Sequence, residues 1–226
     1  PEQNYIIEPE KRDTAAAMGF VAAKLSIEFP DEPIAFIPSD HYISYTTKFI
    51  RMIKRADQLI RDTGKMLDIA VWPTFPSTVL GYTRIGKKVE ANNGIEVYEF
   101  KGHVEKPEFE VAKEYLAAGD YLWHANYYMW TPRKILQAFE KYCPGHYLYL
   151  EQMVEAFKQN DLGKVNLAFS QMEKTSFDYA ITEKIDVKDV LIIKGDFGWS
   201  DVGAFDVLHE SQKSKSDKNG NVINGN

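Results

Sequence analysis

Several features that define common protein classes are missing from this sequence. Only one cysteine, Cys143, occurs among 226 residues, so neither an internal disulfide nor a multi-cysteine zinc site can form. No apolar run approaches the roughly 18 residues that span a bilayer, so no membrane partner is expected. There is no basic block, and the net charge is -6. This charge argues against nucleic acid as the main partner, and the scarcity of cysteine favours a reducing compartment, the cytoplasm.

Common catalytic motifs are missing as well. The sequence has no G-x-S-x-G, no H-E-x-x-H and no Gly-rich phosphate loop of the Walker or Rossmann kind. The letters D-F-G at 196–198 stand without the other protein-kinase motifs. The inventory therefore offers carboxylates for a metal ion but no activated nucleophile of these types.

Helix and strand patterns alternate along most of the chain. In 46–64, Phe49, Ile53, Ala56 and Ile60 recur at helical spacing, and Gly64 is expected to cap the end of that helix. The segments IAFIP, MLDIAVWP and VLIIKG read as buried strands, and the last of them is expected to be followed by the loop with Asp201 and then a helix. This order predicts an α/β fold with a mostly parallel sheet flanked by helices. We expect one domain over 1–210, followed by a turn-rich tail over 211–226.

Two aspartates stand out because each is expected to follow a buried strand. Asp40 lies in IPSDHYI and Asp201 in DFGWSDVG. In open α/β sheets, ligands bind beyond the carboxyl ends of the strands, and paired carboxylates suit Mg²⁺. The alternative is that each aspartate only caps the next turn or helix. The neighbouring His41 could act as a general base, but a structural or solvent-exposed role is the more common one for such a histidine.

Other polar residues sit where a ligand could reach them. Glu105 and Lys106 follow a strand, where a carboxylate could accept sugar hydroxyls and an ammonium could face a phosphate, or both could form an exposed ion pair. Gly81 allows close backbone approach or marks an ordinary turn. His124 and Asn126 interrupt an aromatic strand at period two, which predicts one shared face. Their partners could be a ligand or another strand's backbone.

The order of these segments is more specific than any one of them. Along the chain run EPEKRDTAAA, PSDHYI, PTFPSTVLGY, FKGHVEKP, LWHANYYMW, SFDYAITEK and GWSDVGAFD, between residues 8 and 206. This series resembles the mannose-1-phosphate guanylyltransferases, which belong to the sugar-phosphate nucleotidylyltransferases. Their pattern runs E-P-x-x-R-N-T-A-x-A, A-D-H-x-I, P-x-x-P-x-T-x-Y-G-Y-I, F-x-E-K-P, W-N-S-G, S-x-D-Y-A-x-x-E and G-W-x-D-x-G.

The resemblance implies a Rossmann-like fold of the GT-A type and a specific reaction. GMP would pass from GTP to mannose 1-phosphate by direct in-line attack, giving GDP-mannose and pyrophosphate with Mg²⁺ as cofactor. By matching position, Asp40 and Asp201 would be the metal ligands and, with Lys106, the catalytic residues. The sugar side would be bound by Gly81, Tyr82, Glu105, Lys106, His124, Asn126, Asp178 and Glu183. The nucleotide would be bound by Glu8, Pro9, Arg12, Asp13, Thr14 and Asp40.

The chain departs from the family pattern at several points. His124 stands in place of a sugar-contacting Asn, and Asp13 replaces the usual Asn. The family's opening loop, G-G-x-G-x-R-L-x-P-x-S-R, does not occur among the 226 residues of this sequence. We therefore expect a partial catalytic domain that lacks its first βα units and shows little turnover by itself.

Two alternatives remain at this stage. The chain could act on another nucleotide or sugar phosphate, or it could be a non-catalytic subunit that binds sugar nucleotides. Retention of both Asp40 and Asp201 argues against the second, because a binding module needs no pair of metal ligands. The sequence leaves the oligomeric state open, a homo-oligomer included.

Overall fold

The computed structural model describes residues 5–201 and Asp217. In this part of the chain the helices are α1 (Asp13–Leu25), α2 (Thr46–Thr63), α3 (Phe109–Ala118), α4 (Pro132–Tyr142), α5 (Pro144–Lys158) and α6 (Leu162–Ser170). The strands are β1 (Ile34–Ala35), β2 (His41–Ile43), β3 (Met66–Val71), β4 (Tyr82–Asn92), β5 (Ile95–Val104), β6 (Tyr121–Trp130), β7 (Val190–Gly195) and β8 (Trp199–Asp201). A single π-helical turn covers Asp178–Thr182.

Six of these strands form one mixed sheet in the order β1-β6-β3-β7-β5-β4. The prediction of an α/β fold is confirmed, but that of a mostly parallel sheet is wrong for the described residues. Only β3 and β7 run parallel, and the other pairings are antiparallel. The hairpin between β4 and β5 explains part of the difference, because a short turn can only join antiparallel strands.

The two parallel strands occupy the centre of the sheet. All six residues of β3 are buried, as are five of the six in β7. The amphipathic helix α2 packs against β3, β6 and β7. It ends at Gly64, whose φ of +67° fits the predicted C-cap. A sheet core of this kind fixes the positions of the side chains that project from β3, β5 and β6.

Two local predictions differ from the structure. IAFIP, predicted as a buried strand, contributes only the two residues of β1, one half-buried and one exposed, paired to β6 alone. Helix α6 was not anticipated from the sequence. Its first turn is stabilised by Asp161, whose carboxylate accepts a hydrogen bond from the Lys164 amide at 3.1 Å.

The described helices show no membrane-spanning character, since none is both long and apolar enough to cross a bilayer. The helix expected after Asp201 and the tail predicted over 211–226 lie outside the described residues, apart from Asp217.

Candidate active site

A buried ion pair links two neighbouring strands at the centre of the candidate site. His124 on β6 places Nδ1 2.9 Å from Oδ2 of Asp68 on β3. Burial opposes a charge on His124, but the carboxylates of Asp68, Asp178 and Glu105 outweigh it and raise the pKa to about 9. His124 is therefore an imidazolium at neutral pH. Its side-chain partner is a carboxylate, whereas the sequence suggested a ligand or a strand backbone.

Asp178 brings a second carboxylate to the same histidine. Its Oδ1 lies 3.4 Å from Nε2 of His124 and accepts a hydrogen bond from the Tyr128 hydroxyl at 2.5 Å. The hydroxyl is also 2.8 Å from Oγ1 of Thr182, in the same π-helical turn as Asp178. Burial and the nearby carboxylates raise the pKa of Tyr128, so its phenol stays protonated and donates.

His103 on β5 completes the buried cluster. Its Nε2 lies 3.5 Å from Oε2 of Glu105 and 3.5 Å from Oδ1 of Asp178. Its Nδ1 is 3.2 Å from the hydroxyl of Thr83 on β4. The ring meets that of His124 edge-on, with 4.9 Å between centroids. Sequence reasoning missed His103, although its position two residues before Glu105 marks a second polar side chain on that face.

Glu105 and Lys106 lie just beyond the end of β5, as expected. Lys106 Nζ is 3.1 Å from Oε1 of Glu105, and the Glu105 amide donates to Oε1 of Glu183 at 3.2 Å. Burial raises the pKa of Glu105, but the interactions of its carboxylate with His103 and Lys106 outweigh burial, so the pKa falls below its usual value. The carboxylate of Glu105 is thus fixed by its contacts with His103 and Lys106, while Lys106 itself remains exposed to solvent.

Gly81 lies directly against this carboxylate. A Cβ there would overlap Oε2 of Glu105 and would lie 2.7 Å from Cε1 of His103. The Gly81 carbonyl also accepts a hydrogen bond from the His124 amide at 2.9 Å. The close approach anticipated for Gly81 is thus made to the site's own side chains. The adjacent Tyr82 faces the core, fully buried, and its hydroxyl accepts from the Ser77 amide.

Asn126 does not share the environment of His124. His124 is buried and Asn126 is exposed, so the predicted common face is wrong. Asn126 has a φ of +55°, and the pairing of β6 with β3 shifts register at this point. A bulge of this kind interrupts the alternation of faces along a strand. Asn126 therefore points away from the cluster that holds His124.

Asp40 and Asp201 lie at the same end of a separate two-stranded ribbon. Strands β2 and β8 pair antiparallel, with His41 opposite Asp201, and Asp40 directly precedes His41. Neither aspartate directly follows a buried strand, which corrects the expectation, but both lie near enough to His41 to act against the lowering of its pKa by burial. Asp40 is exposed and Asp201 half-buried. Carboxylates at such a position suit Mg²⁺, which prefers oxygen ligands and retains several waters.

His41 fastens this ribbon to the sheet. Its Nδ1 accepts a hydrogen bond from Nε1 of Trp199 at 3.0 Å and lies 3.0 Å from the hydroxyl of Tyr127 on β6. Burial lowers the pKa of His41, against the opposing effect of Asp201 and Asp40. Because Trp199 can only donate, Nδ1 is an acceptor, and His41 has a structural part here. Strand β6 thus contacts both the ribbon and the buried cluster.

The predicted nucleotide corner lies at the start of α1. The guanidinium of Arg12 bonds Glu10 at 2.8 Å and the Met172 carbonyl at 3.1 Å. The Thr14 hydroxyl accepts from the Phe177 amide at 2.9 Å, next to Asp178. Glu8, Pro9 and Asp13 are exposed, and Asp13 has a φ of +67°. The corner is therefore tied to the segment that carries Asp178, and base binding there stays a prediction.

Comparison with known proteins identifies the family. The model of the nucleotidyl transferase family matches residues 1–218. The chain belongs to the nucleotidyl transferase family. This confirms the resemblance drawn from the motif order at the level of the family.

Individual members of the nucleotidyl transferase family resemble the chain along its length. It is 31% identical to a mannose-1-phosphate guanylyltransferase of Escherichia coli over 99% of its own length and 48% of the relative's. It is 32% identical to a putative mannose-1-phosphate guanylyltransferase of Vibrio cholerae, of which it covers 47%. The chain thus spans about half the length of the curated relatives it matches.

Solved structures support the same fold. A crystal structure described as a mannose-1-phosphate geranyltransferase from Thermus thermophilus aligns with a TM-score of 0.78 at 28% identity, over 91% of this chain and 56% of that one. A structure described as mannose-6-phosphate isomerase from Helicobacter pylori aligns at 0.69 and 20% identity, over 86% of this chain and 73% of that one. The second likeness concerns the fold alone.

Two departures from the nucleotidyl transferase pattern meet in space. Where W-N-S-G has Asn, this chain has His124, and where F-x-E-K-P has Phe, it has His103. Both imidazoles approach the same oxygen, Oδ1 of Asp178, at 3.4 and 3.5 Å. Asp68, the partner of His124, was also missed from the sequence, although a charged residue inside the buried strand MLDIAV signals a need for a partner.

Proposed function

We propose that this chain carries the site that transfers GMP from GTP to mannose 1-phosphate, giving GDP-mannose and pyrophosphate. The observation that carries the proposal is the register of the β2–β8 ribbon, which brings Asp40 and Asp201 to the same end of a strand pair that His41 joins to β6. Glu105 and Lys106, which are proposed to bind the sugar phosphate, lie beside the buried cluster, to which β6 contributes His124. Membership of the family and the names of the relatives support the reaction class.

The proposed transfer exchanges one phosphorus–oxygen bond for another. A phosphate oxygen of mannose 1-phosphate attacks the α-phosphorus of GTP, and the bond from that phosphorus to the β-phosphate oxygen breaks. Asp40 and Asp201 would hold Mg²⁺, which would neutralise phosphate charge. The protein's contribution is then to position the two substrates in line, without a covalent enzyme intermediate.

The sugar phosphate is proposed to bind at the end of β5. Glu105 is a carboxylate whose backbone is held by Glu183, so it can accept hydrogen bonds from two adjacent sugar hydroxyls. Lys106 offers an exposed ammonium for the phosphate. The side chains of His124 and Asp178 contact each other. They would therefore set the shape and charge of the pocket wall rather than react.

The test is a substrate panel on the longest reading frame that encodes this chain. Purified protein with Mg²⁺ is given GTP, ATP or UTP together with mannose 1-phosphate or glucose 1-phosphate, and nucleotide sugars are separated by chromatography. We expect GTP with mannose 1-phosphate to be the best pair. Binding without turnover of any pair would favour the non-catalytic alternative and overturn the proposal.

A matched pair of variants tests the metal ligands. Asp40→Asn is expected to lower turnover by at least about a hundredfold, because a metal-binding carboxylate is lost at the reacting phosphate. The control is Asp31→Asn, another exposed aspartate, whose partner is Arg133. Equal activity of the two variants would remove Asp40 from the proposed site.

A further inference from the structure

Three potential metal ligands converge inside the buried cluster. Nε2 of His103, a carboxylate oxygen of Glu105 and one of Asp178 all lie within 4.8 Å of one another. The two distances that join His103 Nε2 to Oε2 of Glu105 and to Oδ1 of Asp178 are both 3.5 Å. Ligand atoms about 2.1 Å from a tetrahedral Zn²⁺ lie roughly 3.4 Å apart. The spacing therefore matches two edges of such a site.

The imidazole of His103 gives an independent indication. Its side chain is fully buried, and Nε2 has no hydrogen-bond partner within the described residues. Its Nδ1 faces the Thr83 hydroxyl at 3.2 Å. Histidines that bind metals commonly donate their other ring N–H to an oxygen in this way, which directs the lone pair at the ion. In the tautomer that donates from Nδ1 to Thr83, Nε2 directs its lone pair at two carboxylates, and a cation between them would bind all three groups.

The two oxygens of the Glu105 carboxylate face different groups. Lys106 contacts Oε1 of Glu105, whereas Oε2 faces His103. A divalent cation bound on the Oε2 side would therefore leave the contact with Lys106 in place.

We propose that His103, Glu105 and Asp178 bind a first-row divalent transition metal, with Zn²⁺ as the best fit. A nitrogen ligand beside two carboxylates suits Zn²⁺ or Co²⁺ better than Mg²⁺, which takes oxygen ligands almost alone. The ligands of this site come from β5 and its end and from the π-helical turn, and none of them belongs to the β2–β8 ribbon. The bound ion would fix Oε2 of Glu105 and leave Oε1 and Lys106 to face a ligand.

The probe is Co²⁺ alone, titrated into the chain without nucleotide or sugar. The background is Asp40→Asn with Asp201→Asn, which removes the proposed Mg²⁺ ligands, and Cys143→Ala, because Cys143 Sγ lies 3.2 Å from His146. We expect saturable binding of one equivalent with visible absorption of a four- or five-coordinate ion, displaced by Zn²⁺. His103→Gln and Glu105→Gln should each weaken binding by at least about tenfold.

The matched control is Glu99→Gln, which removes a half-buried carboxylate, paired with Lys101, from the same strand β5. It should bind Co²⁺ like the background protein. Thermal melts without metal establish that each variant is folded, and if His103→Gln unfolds, Glu105→Gln decides. Absence of saturable binding, or equal binding by Glu105→Gln and Glu99→Gln, would overturn the proposal. Because no substrate is present, this result is independent of whether the protein transfers GMP.

Discussion

Raising the pH should destabilise this protein through one buried histidine. The pKa of His124 is raised from its ordinary 6.5 to about 9 by Asp68 and its neighbours, against the effect of burial. A pKa raised by folding contributes stability that is complete below the unfolded pKa and is lost as pH rises through the folded pKa. The loss should therefore fall between about pH 6.5 and 9.

The size of the loss follows from the difference between the two pKa values. Each unit is worth about 1.4 kcal/mol, so the shift corresponds to roughly 3 kcal/mol of the free energy of unfolding. Because His124 is almost completely buried, solvent screening does not reduce this figure much. A loss of this size is a large fraction of a typical domain's stability.

Urea unfolding at a series of pH values from 6 to 10 measures the effect. The wild-type chain should lose stability across the window, whereas His124→Gln should be less stable at pH 6 and nearly flat above it. The control is His146→Gln: burial lowers the pKa of His146, so its contribution changes on the acid side instead. A wild-type curve parallel to that of His124→Gln between pH 6.5 and 9 would refute an imidazolium at His124.

Three further substitutions, the first with a matched control, test the geometry of the site. Gly81→Ala should lower the free energy of unfolding in urea by about 1–3 kcal/mol and raise the KM for the sugar phosphate. Its control is Gly145→Ala, which has open space at the position of the new Cβ and should be neutral or stabilising. Gly198 has a φ of +64°, so Gly198→Ala should distort the β2–β8 ribbon. A higher Mg²⁺ concentration should then be needed for half-maximal activity. An unchanged Mg²⁺ concentration at half-maximal activity would contradict this prediction. Tyr128→Phe removes a buried donor to Asp178 and should cost about 1–3 kcal/mol in urea unfolding, and a neutral result would show that this hydrogen bond is not needed.

Most local elements of the fold followed from the sequence, but their mutual arrangement did not. Helix α2 and its Gly64 cap were predicted because apolar residues recur at helical spacing and the glycine follows directly. Strand direction was mispredicted because it depends on long-range pairing, such as that between β5 and β7, which no local pattern encodes. The short helix α6 was missed because it depends on one capping side chain, Asp161.

The candidate site shows the same division. Motif order singled out Glu105, His124 and Asp178, and the structure brings all three to one cluster. Motif order did not single out Asp68 or His103, because the importance of each depends on side chains from other parts of the chain that only the fold brings into contact. The shared face expected for Asn126 failed at a bulge, which a period-two pattern cannot reveal.

Phosphorus-31 NMR of the complete reaction tests the central proposal most directly. The protein from the longest reading frame is incubated with GTP, mannose 1-phosphate and Mg²⁺, and all phosphorus signals are followed in time. The proposed function predicts that the mannose 1-phosphate signal falls while GDP-mannose and pyrophosphate rise in equal amounts. Release of inorganic phosphate from GTP with mannose 1-phosphate unchanged, or no change in any signal, would contradict it.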